Sequence, residues 1–151
     1  GMTLEKTLLP TFIERFESVV SETITDEALV PKITIDAELE IEDITQDFYT
    51  QMLKFAPFGP KNMTPVFMIK ELSDTGYSKT MGADSSHIKL ILCKPHISNK
   101  SIEAIGFGLA HKWGQLQALH VPVDICFTIR EHEFRNQKSI QLELRDIRAS
   151  V

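Results

Sequence analysis

The stretch Phe55-Ala56-Pro57-Phe58-Gly59-Pro60-Lys61-Asn62-Met63-Thr64-Pro65-Val66-Phe67 divides the sequence into two unlike parts. Proline fixes φ, removes a backbone donor and pushes the preceding residue into an extended conformation. A helix therefore has to end near Phe55, and the chain has to emerge as a strand at Val66. Aromatics placed between the prolines argue against a loose linker, which is built from small and polar residues. Ahead of this joint the residues are acidic and helically patterned. Behind it one strand pattern follows another.

Before the joint, Leu9, Phe12, Ile13, Phe16, Val19 and Val20 recur at helical spacing. The spacing predicts an amphipathic helix over Leu8 to Thr23, with Pro10 accommodated in its first turn. Thr25 caps a short turn that Pro31 stops. Lys32 to Glu40 alternates apolar and polar residues, the pattern of a half-exposed strand. Thr45 caps a second helix, from Gln46 to Phe55. The division expected is residues 2–31, a helical segment ending a preceding domain, and residues 32–151, a domain of its own. Gly1 before Met2 reads as an expression remnant.

After the joint the expected order is strand, strand, strand, helix, strand, strand. The first strand runs from Val66 to Leu72 and on through Tyr77 to Met81, with an interruption at Ser73–Gly76. The second is His87 to Lys94, with Ile88, Leu90 and Leu92 facing inward. The third is Ser101 to Phe107. Leu109, Trp113, Leu116 and Leu119 mark a helix with Trp113 in the core. Val121 to Arg130 and Ser139 to Ile147 complete the set. This is the element order of the OB-fold, a five-stranded Greek-key barrel with a helix between its third and fourth strands. The fold class is thus α+β, mainly β, with N-terminal helices and one extra strand ahead of the barrel.

Charge is unevenly placed. Residues 1–50 carry three bases against twelve acids, and residues 51–151 carry thirteen bases against nine acids. Only the second part can face a polyanion. Catalytic patterns are missing: there is no P-loop, GxGxxG, HExxH or nucleophile elbow. None of the five histidines stands at metal-ligand spacing, so neither catalytic nor metal-binding residues are assigned, and no cofactor is expected in this chain. Glu131-His132-Glu133 reads as a solvated loop, and Asp36, Glu38, Glu40, Glu42 and Asp43 as one exposed acidic face. Cys93 and Cys126 read as reduced thiols. No apolar run is long enough for a membrane span, and no signal peptide is visible; the expected location is the cytoplasm.

OB-folds bind oligonucleotides across strands two and three, between the loops joining strands one to two and four to five. Here those loops read as Gly82–Ser86 and Glu131–Lys138. Phe134, at the tip of the second loop, can stack on a base or fold back over the barrel mouth. Arg135 and Lys138 beside it, with Lys89, His87 and Lys79 on the barrel, complete the candidate nucleic-acid-binding set.

Several blocks together resemble the C-terminal part of the RecJ family of single-strand-specific exonucleases. They are Thr34–Leu39, Phe55–Gly59 with Asn62 and Pro65–Phe67, Ala104–Phe107, Val123–Thr128 and Ser139–Arg148. The resemblance implies a 5′→3′ exonuclease of recombination and repair that uses manganese or magnesium. Its metal ligands lie in Asp-His-His motifs of an N-terminal domain; this chain has no such motif, and alone it is expected to be inactive. What the resemblance carries over is an OB module that holds single-stranded DNA for catalytic domains outside this chain. Lys61 stands where the family usually has a second glycine, Met63 where proline is frequent, and Phe134 where tryptophan is common. The competing expectation is a structural clamp or protein-docking module, with self-association through the exposed N-terminal helix.

Overall fold

The computed structural model describes residues 1–150 except 96, 98, 135 and 136, and of Phe134 and Gln137 only the backbone. The chain forms two compact units, Gly1–Ile33 and Thr34–Val151. In the first, a 3-10 turn at Lys6–Leu8 leads into α1 (Leu9–Thr23). Pro10 sits in its first turn, and Phe12 stacks on Phe16 with ring centroids 5.7 Å apart. The Thr25 hydroxyl accepts from the Ala28 amide and caps α2 (Asp26–Leu29).

The second unit begins with β1 (Ala37–Glu38), much shorter than the strand expected over Lys32–Glu40. Alternation alone does not make a strand; a partner ladder does. β1 runs parallel to β2 (Phe67–Asp74) only through Ala37 opposite Phe67 and Glu38 opposite Met68. Just ahead of that ladder the Val66 amide donates to the Asp36 carboxylate. A 3-10 turn at Ile41–Asp43 and α3 (Gln46–Met52) follow, the latter capped by Thr45 as its sequence predicts. α3 tightens into a 3-10 turn at Leu53–Phe55 and stops there.

The remaining strands are β3 (Lys79–Met81), β4 (His87–Cys93), β5 (Ser101–Gly106), β6 (Val123–Phe134) and β7 (Gln137–Ala149). α4 (Ala110–Leu119) lies between β5 and β6. The sheet order is β1-β2-β6-β7-β5-β4-β3, and β2 also pairs with β4 through Ser73 and Asp74. That second pairing closes the sheet into a barrel. β2 and β3 act as one interrupted first strand, so the barrel order is first, fourth, fifth, third, second and back to the first.

The core is what the alternation implied. Ile88, Leu90 and Leu92 are fully buried, together with Ile69, Leu72, Ile125, Phe127 and Leu142. Each such side chain contributes roughly 1.5–3 kcal/mol by leaving water. Trp113 is 5% exposed and belongs to this core. Ile41, Ile44, Tyr49 and Met52 extend it from the acidic segment.

The joint that divides the sequence is a compact turn. Gly59 and Asn62 exchange backbone hydrogen bonds of 2.8 and 2.9 Å, with Pro60 and Lys61 between them. The Asn62 side-chain amide donates to the carbonyls of Phe55 and Pro57, both at 2.9 Å. Phe58 packs against the core, whereas Phe55 is 71% exposed and does not pin α3 to the barrel. The Ala56–Pro57 peptide is cis.

Candidate nucleic-acid interface

Residues directly opposite in neighbouring strands share a sheet face. Lys79 lies opposite Lys89, Lys89 opposite Ile105, Ile105 opposite Glu143, and Glu143 opposite Thr128. This row crosses β3, β4, β5, β7 and β6 on the side opposite the core residues Ile88, Leu90 and Leu142; within it Lys79 is exposed, Lys89 and Glu143 are half-buried, and Ile105 and Thr128 are buried. Opposed lysines repel. The structure meets that repulsion diagonally: the Glu103 carboxylate lies 2.6 Å from Lys89 Nζ and also accepts from the Gln141 amide at 3.3 Å. One strand further on, Arg130 Nε donates to Glu143 at 3.0 Å, and Arg145 reaches the same carboxylate at 3.6 Å. Four cations, Lys79, Lys89, Arg130 and Arg145, thus stand against two carboxylates on one face.

One end of the face is bounded by the turn Gly82–Ser86. Its conformation is held by the Ser86 amide, which donates to Asp84 at 3.1 Å. The Ser86 hydroxyl, with that amide, keeps the Asp84 carboxyl below its ordinary pKa. Ser86 also accepts, through its carbonyl, from the Ala110 amide at the start of α4. His87 Nδ1 accepts from the Gly108 amide at 3.1 Å, which places the proton of the neutral ring on Nε2. The exposed Phe107 ring meets the His87 ring edge-on, with centroids 5.3 Å apart. His87 is therefore tied into the turn rather than reaching out with both nitrogens.

The other boundary differs from the expected loop over Glu131–Lys138. β6 and β7 continue as a two-stranded arm through Glu131 opposite Ile140, His132 opposite Ser139, Glu133 opposite Lys138 and Phe134 opposite Gln137. Phe134 is thus a strand residue, and Arg135 lies outside the described residues. Lys138 donates to Glu131 at 2.8 Å, and that hydrogen bond with its charge raises the lysine pKa. The structure brings Lys79, Lys89 and His87 onto one side of the barrel, and it puts Lys138 on the arm.

Asp36, Glu38 and Glu40, ahead of the joint, are committed to their own domain, Asp36 by accepting from the Val66 amide. Glu38 pairs with Lys70 at 2.6 Å. Glu40 pairs with Lys94, whose side chain is buried. Lys100 donates to the carbonyls of Ile41 and Ile44 at 3.0 Å each. In the exposed acidic face expected from alternation, Glu38 and Glu40 are thus met by cations of the barrel. Sequence inspection also missed the exposed Tyr77, two residues ahead of Lys79 in the interruption between β2 and β3. A cleft of about 430 Å³ opens between that interruption and the end of α4, lined by Asp74, Trp113, Leu116, His120 and Val121 among others. Among the described residues no group of three His, Cys, Asp or Glu side chains is placed to hold a metal ion. Cys93 and Cys126 are free thiols; burial, with Asp146 nearby, pushes the Cys126 thiol pKa up. Among the described residues no helix is long and apolar enough to cross a membrane.

A five-stranded barrel closed in this order, with α4 between its third and fourth strands, is an OB-fold. The chain belongs to the RecJ OB domain family, whose pattern it matches over residues 35–146. It is 27% identical to the single-stranded-DNA-specific exonuclease RecJ of Bacillus subtilis (strain 168), an alignment covering 99% of this chain and 18% of that protein. It also superposes on crystal structures of RecJ from Thermus thermophilus. For the Mg2+ complex the TM-score is 0.67 at 16% identity, covering 99% of this chain and 21% of the other. For the Mn2+ complex it is 0.68 at 15% identity, covering 100% and 20%. At those identities the likeness concerns the fold. The chain spans about a fifth of the length of each relative.

Proposed function

We propose that Thr34–Val151 is the single-stranded-DNA-binding OB module of a RecJ-like 5′→3′ exonuclease that acts in recombination and repair in the cytoplasm. The hydrolysis belongs to catalytic domains outside this chain, which would use manganese or magnesium; this chain alone is inactive. α1 is the end of the domain that precedes the barrel. The observation that carries the reading is the opposed pair Lys79 and Lys89, set between the Gly82–Ser86 turn and the β6–β7 arm. Two like charges across a strand pair favour an anion beside them. Lys138 on the arm, with Phe134 and Arg135 near it in sequence, and His87 with Phe107 at the turn extend the path. The phosphate term dominates such binding and makes it salt-sensitive.

Fluorescence anisotropy with a labelled oligothymidylate at about 50 mM salt tests this directly. Binding that weakens with salt and falls further in Lys79→Ala/Lys89→Ala supports it. Unaltered binding in that variant rejects the face, and absence of binding by the wild-type chain rejects the function.

A second reading, a structural clamp or docking module, draws on the internal ion pairs of Lys89, Arg130 and Arg145. It predicts negligible oligonucleotide binding together with stable self-association or capture of the catalytic domains.

A further inference from the structure

On the barrel face Lys89, Arg130 and Arg145 share their charge with carboxylates, but the cations of the joint do not. Among the described residues of the second unit, Lys54, Lys61 and Lys79 are the cations for which no carboxylate or carbonyl partner is found. Two of the three lie on the turn that joins α3 to β2. From Phe48 to Lys70 the sequence carries no acid at all. Asp36 and Glu38 run alongside the end of that stretch, and both are already engaged, by the Val66 amide and by Lys70.

Between Lys54 and Lys61 stands an exposed aromatic, Phe55. The Asn62 side chain donates to the Phe55 carbonyl, so Lys54 and Lys61 are each one residue from the two ends of a single hydrogen bond. The Gly59–Asn62 bridge and the second Asn62 bond to Pro57 fix the same backbone. The platform is therefore built before any ligand arrives, which lowers the ordering cost of binding. Met63 and Leu53 add exposed apolar surface in the same segment. An open aromatic flanked by two free lysines is the composition that grips a single strand, with the base on the ring and the phosphates on the ammonium groups.

We infer that residues 53–63 form a second contact site for single-stranded nucleic acid, with Phe55 as the stacking residue and Lys54 and Lys61 as the phosphate contacts. The inference rests on the strand-binding reading above and extends the strand's path beyond the barrel face.

The test uses the whole chain and a fluorescein-labelled oligothymidylate of about 20 nucleotides, long enough for more than one OB contact region. Phe55→Ala is expected to weaken binding about tenfold, and Phe55→Trp to retain it. Lys54→Ala/Lys61→Gly should lower the slope of log affinity against log salt by about 1.4, for two phosphate contacts on a single strand. All three positions are exposed, and thermal unfolding verifies that each variant is folded. If these variants bind with wild-type affinity and slope while Lys79→Ala/Lys89→Ala weakens binding, the platform is overturned and the barrel face stands. If the wild-type chain shows no binding at about 50 mM salt, the platform and the strand-binding function are both overturned.

Discussion

The backbone amide of Glu71 donates to the buried carboxylate of Asp124 across 3.2 Å. Glu71 has φ 58°, in the left-handed region, at the point where the β2–β6 register shifts between Ile69 and Leu72. A bulge takes an amide out of the ladder, and a buried amide without a partner is costly. Asp124, on the facing strand, supplies the missing acceptor. The same carboxylate accepts from the Ser150 hydroxyl at 2.6 Å and from Arg148 Nε at 3.1 Å. One side chain thus ties the bend of the first barrel strand to the end of the last.

Asp124→Asn should therefore destabilise the domain by about 1–3 kcal/mol, since it places an amide donor where a hydrogen-bonded carboxylate was. Burial pushes the Asp124 pKa up, but the bonds from Ser150, Glu71 and Arg148 outweigh it and hold it below the ordinary value. A depressed folded pKa means stability that is present above the unfolded value and lost as pH falls through the folded one. Urea unfolding from neutral pH down to about pH 2 should show the wild type losing stability below about pH 4, and the variant losing less. Parallel pH profiles would remove Asp124 as the source.

Lys61 has φ 72° and follows Pro60 between the bridged residues Gly59 and Asn62. Proline at the second position and a positive φ at the third are the marks of a type II turn, where glycine is the unstrained choice. A lysine there costs about 1 kcal/mol. Lys61→Gly is expected to raise unfolding free energy by up to that amount, reduced by the flexibility that glycine adds to the unfolded chain. Denaturant midpoints measured side by side decide it; a lower midpoint in the glycine variant would show that the turn holds the lysine without strain.

Gly106 faces Ile88 across the β4–β5 ladder. A Cβ at Gly106 would meet Ile88 Cγ1 at 2.9 Å and Leu109 Cδ1 at 3.1 Å. Ile88 is fully buried, so its side chain has little room to withdraw. Gly106→Ala should cost about 1–3 kcal/mol by overpacking. Removing the contacted atoms in Gly106→Ala/Ile88→Ala should cost less than the sum of the two single variants, and a strictly additive double variant would refute the contact.

Period-two alternation found β4 and the inward face of β7, where buried residues alternate with more exposed ones. Thr25 and Thr45 announced their caps, and Trp113 declared itself core by its spacing with Leu109 and Leu116. The β6–β7 arm was hidden for the opposite reason. Glu131, His132 and Glu133 are all exposed, so nothing in their order marks an inner face, and the strand exists through its partner ladder. β1 misled in reverse, since Lys32–Glu40 alternates well but finds a partner over only two residues. The candidate site was legible as a set of residue types. The state of its cations was not, because Glu103 and Glu143 reach Lys89 and Arg130 from neighbouring strands.

That pairing leads to an expectation opposite to the usual effect of breaking an ion pair. Glu103 and Glu143 occupy the cations that a phosphate would need, so an arriving strand has to displace them. Exposed pairs of this kind contribute about 0–1 kcal/mol to stability, so losing one leaves the barrel folded. Glu103→Gln retains a carbonyl acceptor for Gln141 and frees the Lys89 ammonium, restoring the repulsion with Lys79 that an anion relieves. Glu143→Gln does the same for Arg130 and Arg145. Each variant should bind oligothymidylate about two- to fivefold more tightly at about 50 mM salt, with the advantage shrinking as salt screens both charges. A like gain from neutralising the exposed Glu14 of α1 would point to net charge alone. An unchanged affinity in both face variants would mean that the strand does not cross this face of the barrel.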